Sequence, residues 1–339
     1  EFYKELSDLY RQELDIDKAF CVAETLVFLG AASDAERALY ERHRQAQFQP
    51  AGRRFTEEIW QKVLIHPSED RVVGAIFASA LAALAGTSAQ LPQAFGLDAG
   101  AAVEVDRDAR PFARVAKYAI GVLALDPPPM LWTQASADGL RVANTIGQGP
   151  GGARLQPSLL VGPSVVSKGD QRELAFEVGK RLAYLRPERF ALMALTSLPR
   201  LEHAFAATVL ASGAQVRSID GGVFTADNDE TRKLAQTLRG QLPTAMLEQV
   251  SDLGGKLAGR LGNGLVTGWR SGTDHTANRV GFILAGDLGT AARAIATENS
   301  ALSSLPAKER LRELLAFSVS EGYFAVRRHL GVNLSLIHI

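Results

Sequence analysis

The sequence predicts an α+β chain that is mainly helical. Two observations carry this expectation. Apolar residues recur every three or four positions across 1–45 and again from about 171 onward, which is the period of a buried helix face. Between these regions, 130–162 breaks into short apolar runs separated by glycine-rich turns, the texture of a small sheet. The length of 339 residues sets a prior of about two domains. A content of 46% hydrophobic and 22% charged residues excludes a disordered chain, a collagen and a coiled-coil rod. Lys+Arg and Asp+Glu both number 37, so no global basic field argues for nucleic acid.

The first segment, 1–50, carries Leu6, Leu9 and Tyr10, then Ala19, Val22, Ala23, Leu26 and Val27, at helical spacing. Asp15-Ile16-Asp17 separates the two helices, and Ser33-Asp34 caps a third. The lone cysteine, Cys21, sits on the apolar face and reads as core; with no second thiol it excludes an internal disulfide. Two short antiparallel helices with small residues at their crossing resemble the tail of a tetratricopeptide array. The resemblance implies a surface that takes protein partners.

The second segment, 51–129, starts a helix at Thr56-Glu57-Glu58 and ends it at His66-Pro67. Residues 72–97 carry no charge, but only the 15 residues from Val72 to Gly86 are strongly apolar. A span needs about 20, so the reading is a buried alanine-rich helix and no membrane crossing. A helix over 112–125 is stopped by Pro127-Pro128-Pro129.

The third segment, 130–333, opens with strands at Leu131-Trp132-Thr133, Leu140–Asn144 and Leu159–Gly162. Gly147, Gly149 and Gly152 match G-x-G-x-x-G, yet a dinucleotide site needs a helix directly after the glycines. Pro150 lies inside the pattern and Gln156-Pro157 follows, so it reads as a hairpin. The last six residues, 334–339, equal the translation of a common sequencing-adapter end and are set aside from fold reasoning. With Glu1 inside a helical pattern, the chain reads as a fragment of a longer protein. The site of action expected for it is the cytoplasm.

The segment 157–185 carries the chemistry. Glu173, Leu174, Phe176, Val178, Gly179, Leu182 and Ala183 keep the frame of a helix of the form E-L-x-F…G-H-E-L-x-H. In this the chain resembles the metallopeptidase family of CAAX-prenyl proteases and HtpX-like heat-shock proteases, which implies a zincin-like domain. In that family two histidines one turn apart bind zinc, and the glutamate between them activates water. Here Lys180 and Tyr184 stand at the histidine positions and Arg181 at the glutamate. Lysine is no zinc ligand at neutral pH, and a guanidinium stays protonated and cannot act as a base. The family's third ligand is a glutamate on a later helix, followed by A-D-R-x-G. The matching stretch has Asp274 at the ligand position and reads Ala277-Asn278-Arg279-Val280-Gly281, with Asn278 in place of the supporting aspartate. Both halves of the site are altered, so the resemblance implies no zinc, no other cofactor and no proteolysis. A helical-repeat start joined to such a domain, in a chain where arginine outnumbers lysine, resembles large bacterial tetratricopeptide-repeat proteins.

Without the family, the same helix reads as amphipathic. Leu174, Ala175, Val178, Leu182 and Leu185 make one apolar face, and Glu173, Glu177, Lys180 and Tyr184 lie opposite, with Arg181 at the edge. Glu177 stands three and four residues before Lys180 and Arg181, the order for ion pairs along a solvated face. His66, His203 and His329 stand apart from one another, and His275 neighbours Asp274. The expected role is a non-catalytic interaction protein carrying an inactive metallopeptidase-like domain. The rivals are an enzyme or a peptide- or anion-binding module that reuses the cleft through Lys180, Tyr184, Asp274 and His275, with Glu177 beside them, and a membrane-linked regulator.

Overall fold

Helix caps and apolar spacing dictate the start of the chain. The computed structural model describes residues 1–44, 48–86, 88–149, 152–214, 228–257, 260, 264–298 and 303–334. Helices α1 (Phe2–Gln12), α2 (Ile16–Phe28) and α3 (Asp34–His43) follow one another as expected. Asp15 caps α2 by accepting the Lys18 N–H, and Ser33 and Glu36 close a reciprocal capping box at α3. Cys21, Val22 and Ala23 on α2 are fully buried, so the cysteine is core.

α4 (Glu57–Ile59) runs into a π-helical turn over Trp60–Leu64. α5 (Arg71–Gly86) is the uncharged stretch, and it packs Val73, Ile76, Phe77 and Ala80 into the interior. Among the described residues, no helix is long and apolar enough to cross a membrane. Short 3-10 turns at Pro92–Phe95 and Ala99–Ala101 lead to α6 (Pro111–Leu123), which starts on a proline because the first helical position needs no N–H donor.

The expected strands form one mixed sheet. β1 (Met130–Thr133) pairs parallel with β5 (Ser158–Val161), and β2 (Leu140–Ala143) pairs antiparallel on its other side, giving the order β1-β5-β2. Between them, β3 (Ile146–Gly149) and β4 (Gly152–Leu155) form an antiparallel hairpin. The glycine-rich pattern therefore contributes to a hairpin, and residues 150 and 151 lie outside the described residues. Successive side chains of β5 face opposite sides: Leu159 joins the main core, and Leu160 packs with Trp132, Leu97 and Ala143 under the 3-10 turns.

The remainder is helical: α7 (Pro163–Val166), α8 (Gln171–Ala183), α9 (Pro187–Ala194), α10 (Leu198–Ala211), α11 (Asp229–Gln241), α12 (Thr244–Lys256), α13 (Leu265–Ala285), α14 (Leu288–Thr297), α15 (Ala307–Phe317) and α16 (Glu321–Leu330). The chain is thus mainly helical with a small sheet. One contiguous hydrophobic core takes in Phe20 of α2, Phe77 of α5, Phe112 of α6, Phe176 of α8 and Phe324 of α16. The N-terminal helices are tied to this core by a buried ion pair, in which Arg327 donates to Asp17 at 2.7 Å. Of the adapter-like residues 334–339, Leu334 is described, its N–H donating to Asp17 at 2.9 Å, and 335–339 lie outside the described residues.

Candidate functional site

α8 and α13 cross in close contact, each presenting a glycine to the other. A Cβ added at Gly281 would lie 2.8 Å from the Phe176 carbonyl oxygen, and one at Gly179 would lie 2.5 Å from Leu284 Cδ1. Asp170 starts α8 by accepting the N–H groups of Arg172 and Glu173. The crossing brings the C-terminal half of α8 against Asp274 in the middle of α13.

One expectation from the helical pattern is overturned here. Lys180, Arg181 and Tyr184 do not lie on a solvated face: Lys180 and Tyr184 are 1% exposed and Arg181 is 7% exposed. Nor does Glu177 pair with Lys180 or Arg181. It accepts instead from Lys168, at 2.6 Å, and Lys168 also holds Glu173, at 2.5 Å. The reason is tertiary. The end of α14 and the start of α15 cover the side of α8 that a two-faced pattern assigns to water, and they supply the counter-charge themselves.

That counter-charge is Glu298, just past α14. Lys180 Nζ donates to Glu298 Oε2 at 2.6 Å, and Arg181 Nη2 donates to Oε1 at 2.9 Å. Arg310 of α15, 2% exposed, donates to Oε2 as well. Burial pushes the Lys180 ammonium down to about 8, although Glu298 opposes the fall. For Glu298 burial acts upward, but the charges of Lys180 and Arg181 hold the carboxyl below its ordinary range.

A second knot adjoins the first. Tyr184 Oη donates to Asp274 Oδ1 at 2.5 Å. Asp274 Oδ2 accepts Ser303 Oγ at 2.8 Å, and the Ser304 N–H and Ser304 Oγ, each at 2.6 Å. Burial opposes ionisation of Asp274, yet the bonds from Ser304 and Tyr184 and the charge of Lys180 keep its carboxyl low. Burial and the Asp274 charge push the Tyr184 hydroxyl well above its ordinary value. Lys180, Arg181 and Arg310 thus converge on Glu298, and Tyr184 and the two serines on Asp274.

Asn278, one turn after Asp274, is fully buried, and among the described residues neither atom of its amide has a hydrogen-bond partner. Arg279 clamps Glu313 of α15, with Nε at 2.7 Å and Nη2 at 2.6 Å. His275 packs its ring against His66, with centroids 4.5 Å apart, and its Nδ1 is 4.0 Å from Glu313. Burial lowers both imidazoles, His66 to about 3, so the pair is neutral at pH 7.

The donor set does not fit the zinc that a metallopeptidase helix implies. At the three positions on α8 stand a lysine bonded to a carboxylate, an arginine, and a phenol bonded to Asp274. Among the described residues, no group of three or more His, Cys, Asp or Glu is placed to hold a metal ion. Two pockets share Arg181 and Leu140 as a common wall. One, about 280 Å³, is lined by Lys168, Glu177, Lys180 and Glu298; the other, about 230 Å³, by Arg141, Tyr184, Arg270 and Asp274.

The structure therefore unites Lys180, Arg181, Tyr184 and Asp274, leaves Glu177 to Lys168, and turns His275 to His66. Sequence reasoning missed Glu298, Arg310, Ser303 and Ser304. No motif marks them, since Glu298 follows Lys180 by 118 residues. Compared with protein-family models, with curated proteins and with solved structures, the chain has no match.

Proposed function

We propose that the chain is a non-catalytic interaction protein, built on a metallopeptidase-like core whose catalytic positions serve as a structural clamp. The observation that supports this is the mutual satisfaction of the groups at the crossing of α8 and α13. Lys180, Arg181 and Arg310 are held by Glu298, and Tyr184, Ser303 and Ser304 by Asp274. The charged groups there are bonded to one another, and the network ties α8, α13 and α15 together. In this reading the helices α1 to α3 offer the partner surface.

Metal analysis of the purified chain tests the proposal. The expected result is less than stoichiometric zinc and no hydrolysis of casein. A variant restoring the family pattern, Lys180→His with Arg181→Glu, Tyr184→His and Asp274→Glu, is expected to take up zinc. Stoichiometric zinc in the unaltered chain refutes the proposal whatever the variant does.

One observation favours the second reading, a reused anion-binding cleft. Arg141 and Arg270 line the 230 Å³ pocket beside Arg181, and among the described residues neither side chain has an ion-pair partner. An acetylated peptide ending in a free carboxylate should then bind with an affinity that falls at least tenfold when Arg141 and Arg270 are both changed to glutamine.

A further inference from the structure

The 230 Å³ pocket beside the clamp is charged on one helix and apolar on the next. Helix α13 brings Arg270 and Asp274 to it, and α9 brings Leu192 and Met193. β2 is an edge strand, so Leu140, Arg141 and Val142 all border the pocket although their side chains alternate. Val142 and Met193 are only partly buried and leave apolar surface along its wall.

The charges do not balance within the pocket. Arg270 stands one turn before Asp274, the spacing of a helical ion pair. Asp274 is nevertheless taken by Tyr184, Ser303 and Ser304, and Arg181 is held by Glu298. Arg141 and Arg270 remain, and among the described residues neither guanidinium has an ion-pair or hydrogen-bond partner. Two cations are thus open to an anion. The same bonds decide what the anion is attached to. With Tyr184 Oη, Ser304 Oγ and Arg181 already engaged, the amide groups of a peptide would find few partners here, whereas Val142, Leu192 and Met193 suit a hydrocarbon chain. The volume lies below the about 300–1,000 Å³ of drug-sized sites, so the ligand is small.

We infer that this pocket binds a carboxylate carried directly on an unbranched apolar chain of about eight carbons, as in a medium-chain fatty acid, with Arg141 and Arg270 on the carboxylate and Val142, Leu192 and Met193 along the chain. The inference rests on the anion-binding reading of the same pocket and leaves the clamp at Lys180 intact.

Calorimetric titration of the full chain with octanoate, butanoate, octanamide and inorganic phosphate tests it. Arg141 and Thr196 are exposed, so the pocket opens to water and each CH₂ is half covered, a gain of roughly twofold in affinity per CH₂. Octanoate is therefore expected to bind at least tenfold more tightly than butanoate, and at least tenfold more tightly than octanamide, which lacks the charge. Arg141→Gln with Arg270→Gln should weaken octanoate at least tenfold. Met193→Gln should weaken octanoate severalfold and leave butanoate unchanged. Octanoate, butanoate and phosphate binding alike, with loss in the double arginine variant, overturns the inference and leaves the anion-binding reading standing. Tighter binding of N-acetylnorleucine than of octanoate does the same, by assigning the pocket to a peptide end. Octanamide binding as well as octanoate, or no anion binding at millimolar concentration, overturns the inference and that reading together.

Discussion

Replacing Glu298 by glutamine preserves the side chain's shape and removes its charge. Lys180, Arg181 and Arg310, each less than a tenth exposed, would then lose the carboxylate that all three bond, leaving only the attraction between Lys180 and Asp274. Removing one partner of a buried ion pair costs about 3–5 kcal/mol, because the other charge stays buried without compensation. The structure also sets a ceiling. Lys180, already lowered to about 8, can escape by giving up its proton. Releasing a proton at pH 7 from a lysine that titrates near ~10.4 when unfolded costs about 4.6 kcal/mol. The guanidinium groups have no such exit. The loss expected for Glu298→Gln at pH 7 is therefore about 3–5 kcal/mol. Lys180→Met should behave differently. It removes one of three cations, leaves Glu298 with Arg181 and Arg310, and fills the space with an apolar chain of similar length, so the change should stay within about 1 kcal/mol. Denaturant unfolding followed by circular dichroism, with midpoint and slope both recorded, measures the pair. A loss below about 1 kcal/mol for Glu298→Gln, or equal losses in the two variants, would refute the view that Glu298 is the charge centre of the clamp.

Three further outcomes follow from the same geometry. Lys180 titrates lower in the folded chain, at about 8, than in the unfolded one, near ~10.4, so the unfolded state holds the proton between these values. Stability should rise from about pH 8 to about pH 10, by up to roughly 3 kcal/mol relative to Lys180→Met, and parallel pH curves for the two proteins would contradict this. Burial lowers His66 and His275 below the unfolded value near ~6.5, so their share of stability is lost as pH falls from there; His66→Gln with His275→Gln should flatten the thermal-stability curve between pH 6.5 and 4.5. Gly281→Ala places a Cβ 2.8 Å from a backbone oxygen of α8 and should cost about 2 kcal/mol, whereas Gly268→Ala on the same helix meets open space and should add up to about 1 kcal/mol. Equal melting shifts for the two alanines would show that the α8–α13 crossing is looser than described.

Local signals made much of the fold legible. The π-helical turn after α4 had no such signal. α5 was readable because a run of 15 apolar residues is too short to span a bilayer and long enough to bury. The hairpin was readable because Pro150 denies the glycines a following helix. Gly179 and Gly281 stood out in the motifs, but only the crossing shows their use, since close approach is a property of two helices rather than one.

The sequence by itself determined the helical period, the caps, the three strands and the residue types along α8. Those types alone argue against zinc ligation by Lys180 and base catalysis by Arg181, because protonation and ligand character belong to the side chain. Tertiary structure alone decided what surrounds them. An amphipathic pattern tells one covered face from the rest and holds no record of a second layer. Glu298, Arg310 and the two serines arrive from more than a hundred residues beyond α8, or from the far side of α13, and turn an expected solvated face into a buried network. Chain closure places these groups side by side, and sequence distance carries no trace of it.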